Sequence, residues 1–371
     1  VAVSVNGGDG NSHTYTAKGL QEHTYATEGT YTVSISGSLE QFGNGTPETP
    51  NISKLVAVTS FGEIGLTSLS GAFNEAKNLI QVPVNLPSAV TNIHKMFQGC
   101  TSFNYNIGSW NVSNVTNMRC LFQMASSFNQ DISNWDVSNV TNMGSMFAGC
   151  LLFNQDISSW EVSNVEDMSY LFVNCGLFNQ NIGSWDVSNV ADMNCMFVNC
   201  LSFNQDIGSW DVGNVTNMTG MFSGCASFNQ DISGWDVSRV INMTEMFSNA
   251  IAFNQDIGSW DVGNVTNMTD MFKDVTLSTN NYNNILIGWA GQTVNNDINF
   301  NGGNSKYSPG EAADARAVLT GTYGWTIIDG GESNALAVST LAPSEITATS
   351  ATSGGNVFAD GGSAVTARGV V

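Results

Sequence analysis

Residues 128–152 read FNQDISNWDVSNVTNMGSMFAGCLL, and close copies of this 25-residue unit fill the middle of the chain. Phenylalanines that include Phe128 and Phe153, and methionines that include Met143 and Met168, keep the 25-residue step. Tryptophan keeps it seven times without a slip, at Trp110, Trp135, Trp160, Trp185, Trp210, Trp235 and Trp260. A unit this short cannot bury its own apolar face, so copies are expected to stack on one another.

The apolar positions inside the unit are two, three or five residues apart, which does not match the 3.6-residue period of a long amphipathic helix. We predict short β segments near residues 130–133 and 140–142, joined by Asn, Ser and Gly turns, and one helical turn near residues 145–148. Stacked coils would lie about 4.8 Å apart in the hydrogen-bonding direction. The predicted fold class is mainly β, a β-solenoid of 25-residue coils with short helical turns, flanked by small β-sandwich-like segments.

Five segments are expected along the 371 residues. Residues 1–45 alternate as strands, 46–100 hold degenerate repeats that cap the array, and 101–275 form the regular array. Residues 276–330 are predicted to close it, with a short helix that starts after Ser308 as N-cap and Pro309, followed by a strand at 324–329. Residues 331–371 read as the start of a further β module. Because the chain opens at Val1 without a methionine, we expect a processed or truncated piece of a longer protein.

Charge and composition exclude several classes of function. There are 31 acidic and 10 basic residues, a net charge of −21, and no basic run, so nucleic acid is not an expected partner. No stretch reaches the ~18 to 20 apolar residues of a membrane span. The three histidines lie in separate segments, and no nucleophile, zinc or phosphate-loop motif is present. We therefore expect a protein that is not an enzyme.

The units FNQDISNWDVSNVTNM and MFAGC resemble those of the BspA-like leucine-rich-repeat surface proteins, a family also described as a Mycoplasma-type lipoprotein or surface-protein repeat (DUF285-like) of unknown function. The resemblance covers roughly residues 50–330, because NYNNILIGWA and TYGWTIIDGG look like the segment that closes such arrays. It implies a leucine-rich-repeat-like solenoid in an adhesin-like protein that is secreted or displayed on a bacterial cell surface. The resemblance implies no catalytic residues in this chain.

The two ends of the chain carry weaker resemblances. The N-terminal piece with GDG and HTYATEGTYTVSISG is similar to PKD-like domains, although GGDG stands where WGDG is more usual. The tail ITATSATSGGNVFADGGSAVTARGVV resembles the first strands of fibronectin-III-like modules.

Two acidic columns are the candidate binding residues of the repeat face. Stacked carboxylates about 5 Å apart repel, so either water and salt screen them or a cation bridges them. No cofactor is expected, but calcium, which takes six to eight oxygen ligands, stays an alternative to a solvated acidic face. The first column holds Asp131, Asp156, Asp206, Asp231 and Asp256, and the second holds Asp136, Asp186, Asp211, Asp236 and Asp261.

Other columns are predicted to be structural. The tryptophans favour a buried column, with an exposed aromatic ladder that stacks on sugar rings as the alternative. Asn129 and Asn154 belong to a column predicted to form an internal ladder that satisfies backbone groups, with ligand binding as the alternative. The column of Cys100, Cys150, Cys175, Cys200 and Cys225 alternates with alanine and predicts a small buried slot, while disulfides between coils stay open.

The columns together predict an interaction protein that presents a regular acidic and amide-rich face to an extracellular protein or glycan. The alternative is a structural spacer, or a stalk or filament component that packs with other copies or domains of one surface assembly. Ice or mineral binding is a minor alternative, suggested by a threonine column that Glu166, Ala191 and Ile241 interrupt. Hydrolysis of a polysaccharide is the least favoured alternative.

Overall fold

The computed structural model describes residues 2–43 apart from 18 and 20, residues 52–333, and the backbone of two later strands. The chain divides into two compact units, Val1–Phe203 and Asn204–Val371, each of which is considered by itself. In the described ranges the fold is low in helix: two α-helices and one 3₁₀ turn, Ile52–Lys54, stand among short strands, turns and coil. This agrees with a mostly β and coil fold. The five predicted segment boundaries stay predictions.

The first unit begins with a three-stranded antiparallel sheet. Its strands are β1 (Val3–Asn6), β2 (Ser12–Tyr15) and β3 (Ser34–Gly37), in the order β2-β1-β3. A tight turn joins β1 to β2, and Asp9 closes it by accepting a hydrogen bond from the Asn11 N–H at 3.0 Å. Within the described residues up to 43 this is one sheet, and the second sheet of the predicted sandwich is not found there.

Successive repeats of the first unit are joined by parallel backbone pairing with a 25-residue offset. Single parallel bridges join Asn117 to Asn142, Asn142 to Asp167 and Asp167 to Asp192. Around each bridge, alternate N–H groups of one repeat donate to carbonyls of the next, and residues 118–124 pair with residues 142–148 in this way at 2.7–3.0 Å. The N–H groups in between close turns within their own repeat. The polar backbone of the turn is therefore satisfied without regular strands.

The repeats contain fewer strands than predicted. Residues 130–133 are coil and turn, and the segment predicted at 140–142 is reduced to the bridge at Asn142. The helical turn predicted at 145–148 is a turn but not a helix, because Ser145 has φ 58°. A left-handed residue breaks the right-handed helical path. Cys120 and Tyr170, at the same repeat position, have φ 55° and 59°.

The core of the first unit is a set of aromatic columns. Phe122, Phe147 and Phe172 stack with ring centroids 5.7–5.8 Å apart, and Phe128 stacks on Phe153 at 6.1 Å. These phenylalanines are fully buried. Burying one large apolar side chain contributes about 1.5–3 kcal/mol, so a column that recurs in every repeat is the main source of stability.

The second unit repeats the same pattern and then changes. Parallel bridges join Asn217 to Asn242 and Asn242 to Asn267. The chain then forms helix α1 (Thr279–Ala290), strand β4 (Asn299–Asn301), helix α2 (Glu311–Gly321) and strand β5 (Thr326–Ile328), and β4 pairs with β5 in parallel. Helix α1 was not predicted. Its buried residues follow the helical period and are Tyr282, Ile285, Leu286 and Trp289.

Two predictions for the closing segment can be compared with the structure. The strand predicted at 324–329 contains β5. The helix was predicted to start after Ser308, but α2 is preceded by Gly310 at φ 85°, which makes no side-chain cap. Ser308 instead pairs with Asn283: its N–H donates to Asn283 Oδ1 at 2.9 Å, and Asn283 Nδ2 donates to Ser308 Oγ at 3.0 Å.

The tail of the second unit contains an antiparallel pair of strands, β6 (Ala337–Ser344) and β7 (Thr352–Ala359). The last predicted strand, in SAVTARGVV, lies outside the described residues.

Candidate functional site: an acidic and amide-rich repeat surface

All ten predicted aspartates are exposed, and each is fixed by its own turn. The carboxylate Oδ1 accepts a hydrogen bond from the backbone N–H two residues later, as at Asp131, where the Ser133 N–H lies at 2.9 Å. At Asp136 the Ser138 N–H donates at 3.1 Å and the Ser138 hydroxyl at 2.6 Å. The same bond forms at Asp131, Asp136, Asp156, Asp186, Asp206, Asp211, Asp231, Asp236, Asp256 and Asp261.

These hydrogen bonds lower the pKa of several carboxyl groups below the ordinary aspartate value. The backbone N–H of Ser133 lowers the pKa of Asp131, and that of Ser158 lowers the pKa of Asp156. Repulsion from Asp131 acts in the opposite direction on the pKa of Asp156 but does not reverse the shift. Side-chain and backbone donors lower the pKa of Asp136, Asp186, Asp231 and Asp236 as well. The surface therefore stays anionic well below neutral pH, which raises the local concentration of cations.

The turn role of these aspartates was missed at the sequence level, although a signal was present. Aspartate or asparagine with serine or glycine two residues later is typical of a turn in which the side chain accepts the i+2 N–H. The same geometry recurs in a third column that sequence reasoning did not single out. In that column Asn142 accepts from the Gly144 N–H at 3.0 Å and Asp167 from the Ser169 N–H at 2.9 Å.

The asparagine column is a ladder, but the prediction that it is internal was wrong. Asn129 Oδ1 accepts from the Asn154 N–H at 3.0 Å, and Asn154 Oδ1 accepts from the Asn179 N–H at 2.9 Å. The next glutamine joins each rung, as Gln155 Nε2 does with Asn129 Oδ1 at 3.0 Å. Asn129 and Asn154 are half-buried at the surface. Each side-chain amide oxygen accepts the backbone N–H of the asparagine in the next repeat, because that N–H has no carbonyl partner.

The seven array tryptophans lie in the interior, each at most 3% exposed. The Trp135 indole N–H donates to the Ile107 carbonyl at 3.1 Å, and Trp160 donates to Ile132 at 3.2 Å. An exposed aromatic ladder is therefore not present at this column. The tryptophans are part of the core and are not exposed at the repeat surface.

The cysteine column is also interior. Cys100, Cys150 and Cys175 are buried, and their thiols donate to backbone carbonyls at 3.0 Å. Burial raises the pKa of Cys100 to about 12 and holds the pKa of Cys150 well above its ordinary value. No disulfide links the cysteines within the described ranges, so this column fills space in the core.

An open groove lies in the first unit where the regular repeats begin. Its volume is about 580 Å³, and it includes one predicted residue, Asp131. The remaining lining residues were not predicted and come from two successive regular repeats and from the degenerate repeat before them, within residues 46–100. They are Val84, Tyr105, Asn106, Gly108, Ser109 and Asn134.

Two of the three histidines lie together although they are ten residues apart in sequence: His13 is in β2, and His23 is in the coil between β2 and β3. The rings of His13 and His23 have centroids 5.6 Å apart, and His23 Nε2 lies 2.8 Å from Asp9 Oδ2. The Asn11 N–H and His23 lower the pKa of Asp9 to about 2. His23 is also held edge-on against Tyr25, at 4.5 Å between ring centroids. This cluster fixes the turn after β1.

No group of three or more His, Cys, Asp or Glu side chains is gathered as a metal site in the described residues. No helix in the same residues has the length and apolar character needed to cross a membrane.

A family model described as Mycoplasma protein of unknown function, DUF285, matches residues 67–183 and 167–289, which together make up more than half of the chain. The chain belongs to this DUF285 family. No curated protein and no solved structure matches it. The DUF285 matches cover the regular repeats and helix α1 as far as Trp289. The PKD-like and fibronectin-III-like resemblances lie outside the matched residues and stay predictions.

Proposed function

We propose that this DUF285 protein is a non-enzymatic binding protein, secreted or displayed on a bacterial surface. In this proposal its repeats form a leucine-rich-repeat-like solenoid whose acidic columns face an extracellular protein or glycan. The supporting observation is the placement of ten exposed carboxylates, each fixed by the N–H two residues later. Side chains that are already fixed lose little conformational entropy when a ligand binds, which favours recognition.

The test uses the full chain on an array of extracellular matrix proteins and glycans at physiological salt. We expect saturable binding to at least one class. The matched variant carries Asp→Asn at 136, 186, 211, 236 and 261, because asparagine keeps the oxygen that caps the turn and removes only the charge. Weaker binding by this variant, and weaker binding of the native chain at high salt, would support the acidic face as the contact surface.

A structural spacer is the second candidate, and one observation favours it. In each unit, regularly spaced backbone hydrogen bonds join each repeat to the next, which suits a stiff rod as well as a binding scaffold. The two candidates differ in the array experiment. If the chain binds nothing on the protein and glycan panels, the result would favour the spacer and count against the binding function.

Calcium along the acidic columns is a separate proposal, with its own test. A bound ion would stabilise the folded chain by a free energy that grows with the logarithm of its concentration over its dissociation constant. The melting temperature with millimolar calcium should then exceed that with chelator, and the Asp→Asn variant should lose the difference. Equal melting temperatures would show that calcium does not bind the acidic columns.

A further inference from the structure

We propose that the groove at the start of the regular repeats binds a neutral sugar residue. This inference rests on the binding function proposed above and names a ligand class for one part of that surface. The groove has a volume of about 580 Å³, within the range of about 300–1,000 Å³ that is usual for small-molecule sites. It is open on one side, as a site for the end or branch of a glycan must be.

The groove exists because the first regular repeat departs from the column pattern. Tyr105 stands where the six following repeats carry glutamine. Gln130, for example, donates to Asn104 Oδ1 at 3.1 Å and is part of the surface ladder. The phenol of Tyr105 makes no hydrogen bond within the described residues, so its ring and hydroxyl remain available in the groove.

A second departure lies across the groove. Asn134 occupies a column that is mostly serine, and those serines are used by the fold: Ser109 Oγ donates to the Val84 carbonyl at 2.9 Å, and Ser159 Oγ to the Ser133 carbonyl at 3.0 Å. The Asn134 side chain makes no such bond in the described part of the chain. Its amide can therefore donate and accept at the groove surface.

The lining chemistry fits a neutral sugar. An aromatic ring offers an apolar face to the C–H groups of a pyranose, and its hydroxyl groups need both donors and acceptors. Asn134 supplies both, and the Asp131 carboxylate keeps acceptor capacity beyond the bond from Ser133. Bonds to a carboxylate are about twice as strong as neutral ones. No lysine or arginine lines the groove, so a phosphate or uronate would meet only a negative charge.

The walls of the groove are held in place before any ligand arrives. The Trp110 indole N–H donates to the Pro83 carbonyl at 2.9 Å, next to the bond from Ser109 to Val84. Both bonds join the degenerate repeat that contains Pro83 and Val84 to the first regular repeat. A site held by its own scaffold loses less free energy to ordering on binding.

The experiment titrates the full chain with methyl glycosides of glucose, galactose, mannose and N-acetylglucosamine, and with their linear tetramers, by calorimetry and saturation-transfer NMR. Tyr105→Gln and Asn134→Ser install residues that other repeats carry at the same positions, so both variants should fold. We expect at least one probe to bind, Tyr105→Gln to weaken it at least tenfold, and Asn134→Ser to weaken it about threefold. Tyr170→Gln, which alters an exposed tyrosine elsewhere in the unit, is the matched control.

Three outcomes would overturn the inference. If no neutral probe binds, the groove proposal fails, while the protein panel still decides the general binding function. If a sugar binds and Tyr105→Gln leaves its affinity unchanged, the sugar lies elsewhere and only the general function is supported. If cationic peptides bind with a dependence on Asp131 but not on Tyr105, the groove recognises charge instead of sugar.

Discussion

Residues 204–275 and the closing residues 276–330, both in the second unit, satisfy their buried polar groups in different ways. In the repeats, buried indole groups form hydrogen bonds between neutral groups, and the same bond recurs in successive repeats. The Trp235 indole N–H donates to the Ile207 carbonyl at 3.1 Å, and Trp260 donates to the Ile232 carbonyl at 3.1 Å. The closing segment instead gathers Tyr282, Arg316 and Asp329 into one network.

This network contains an ion pair, and unlike the tryptophan bonds it does not recur from repeat to repeat. The Asp329 side chain, 3% exposed, accepts from Arg316 Nε at 2.8 Å and from the Tyr282 hydroxyl at 2.9 Å. Burial and the neighbouring carboxylate raise the pKa of Tyr282, so it stays protonated and donates. Loss of one repeat bond therefore affects one repeat, whereas loss of one partner in the closing segment leaves a buried charge unpaired.

The largest effect should come from the repeat core. Trp235→Ala removes a 3% exposed indole from between Phe222 and Trp260, and we expect a loss of about 3–5 kcal/mol from the free energy of unfolding. Urea denaturation followed by circular dichroism measures it. Ile241→Ala, a half-exposed position in the same unit, should cost less than about 0.5 kcal/mol. Equal losses would contradict a buried tryptophan column.

The next effect should come from the ion pair of the closing segment. Arg316→Met leaves the buried Asp329 carboxylate with Tyr282 and the Gly331 N–H only, and we expect a loss of about 2–4 kcal/mol. The control is Arg239→Met, which removes an exposed arginine bonded to Asn214. A loss no larger than that of the control, in the same urea titration, would show that the pair does not hold the segment.

A smaller effect on stability should distinguish a buried tryptophan whose indole N–H is hydrogen-bonded from one whose indole N–H is not. Trp289 in α1 is fully buried, and its indole N–H has no hydrogen-bond partner among the described residues. Trp235→Phe removes one of two hydrogen bonds to the Ile207 carbonyl, which keeps the bond from the Trp210 N–H at 3.1 Å, whereas Trp289→Phe removes a donor that was already unsatisfied. We expect Trp235→Phe to cost about 0.5–1.5 kcal/mol more. If both variants cost the same, the indole bond contributes nothing to the repeats.

The smallest effect should come from the acidic columns as pH falls. The pKa of Asp136, Asp186 and Asp236 is lower in the folded chain than its ordinary value. Their contribution is therefore complete above the unfolded pKa of ~3.9 and is lost as pH falls through the lower, folded pKa. Each contribution at these exposed sites should lie within about 0.5 kcal/mol.

Urea midpoints of the native chain and of the triple Asp→Asn variant at 136, 186 and 236 measure this loss. The two proteins should keep a constant difference from pH 7 to 5, and that difference should change below about pH 4. General relief of charge repulsion on acidification acts on both proteins, so only the difference reports the turn bonds. A difference that stays constant down to pH 2 would contradict the role of the carboxylates.

Much of the repeat structure could be predicted because the same residue types recur every 25 residues. The 25-residue step of Trp110 and the later tryptophans predicts stacking, and the parallel bridges in each unit have that offset. Strand content was overpredicted because left-handed residues such as Ser145 let a turn make bonds to its neighbour that resemble those of strands. Side-chain polarity does not reveal that conformation, since serine, cysteine, tyrosine and glutamate all occur at this repeat position.

The candidate site could be predicted only in part. The aspartates were found because they recur. Their turn bonds, however, depend on the backbone N–H two positions later. The asparagine ladder depends on which backbone N–H groups have no carbonyl as a hydrogen-bond partner. The groove depends on departures from the period, at Tyr105 and Asn134. Such departures are visible in the sequence, but only the folded chain shows that they line one concave surface with Asp131.

The most direct test of the account is the accessibility of its nine tryptophans, all of which are at most 4% exposed. Fluorescence quenching of the full chain by acrylamide, a neutral quencher that the negative charge does not repel, measures this accessibility before and after unfolding in guanidinium. We predict that quenching in the native chain is a small fraction of that in the unfolded chain. Native tryptophans that are quenched as readily as free indole would contradict the stacked repeats and the surface built on them.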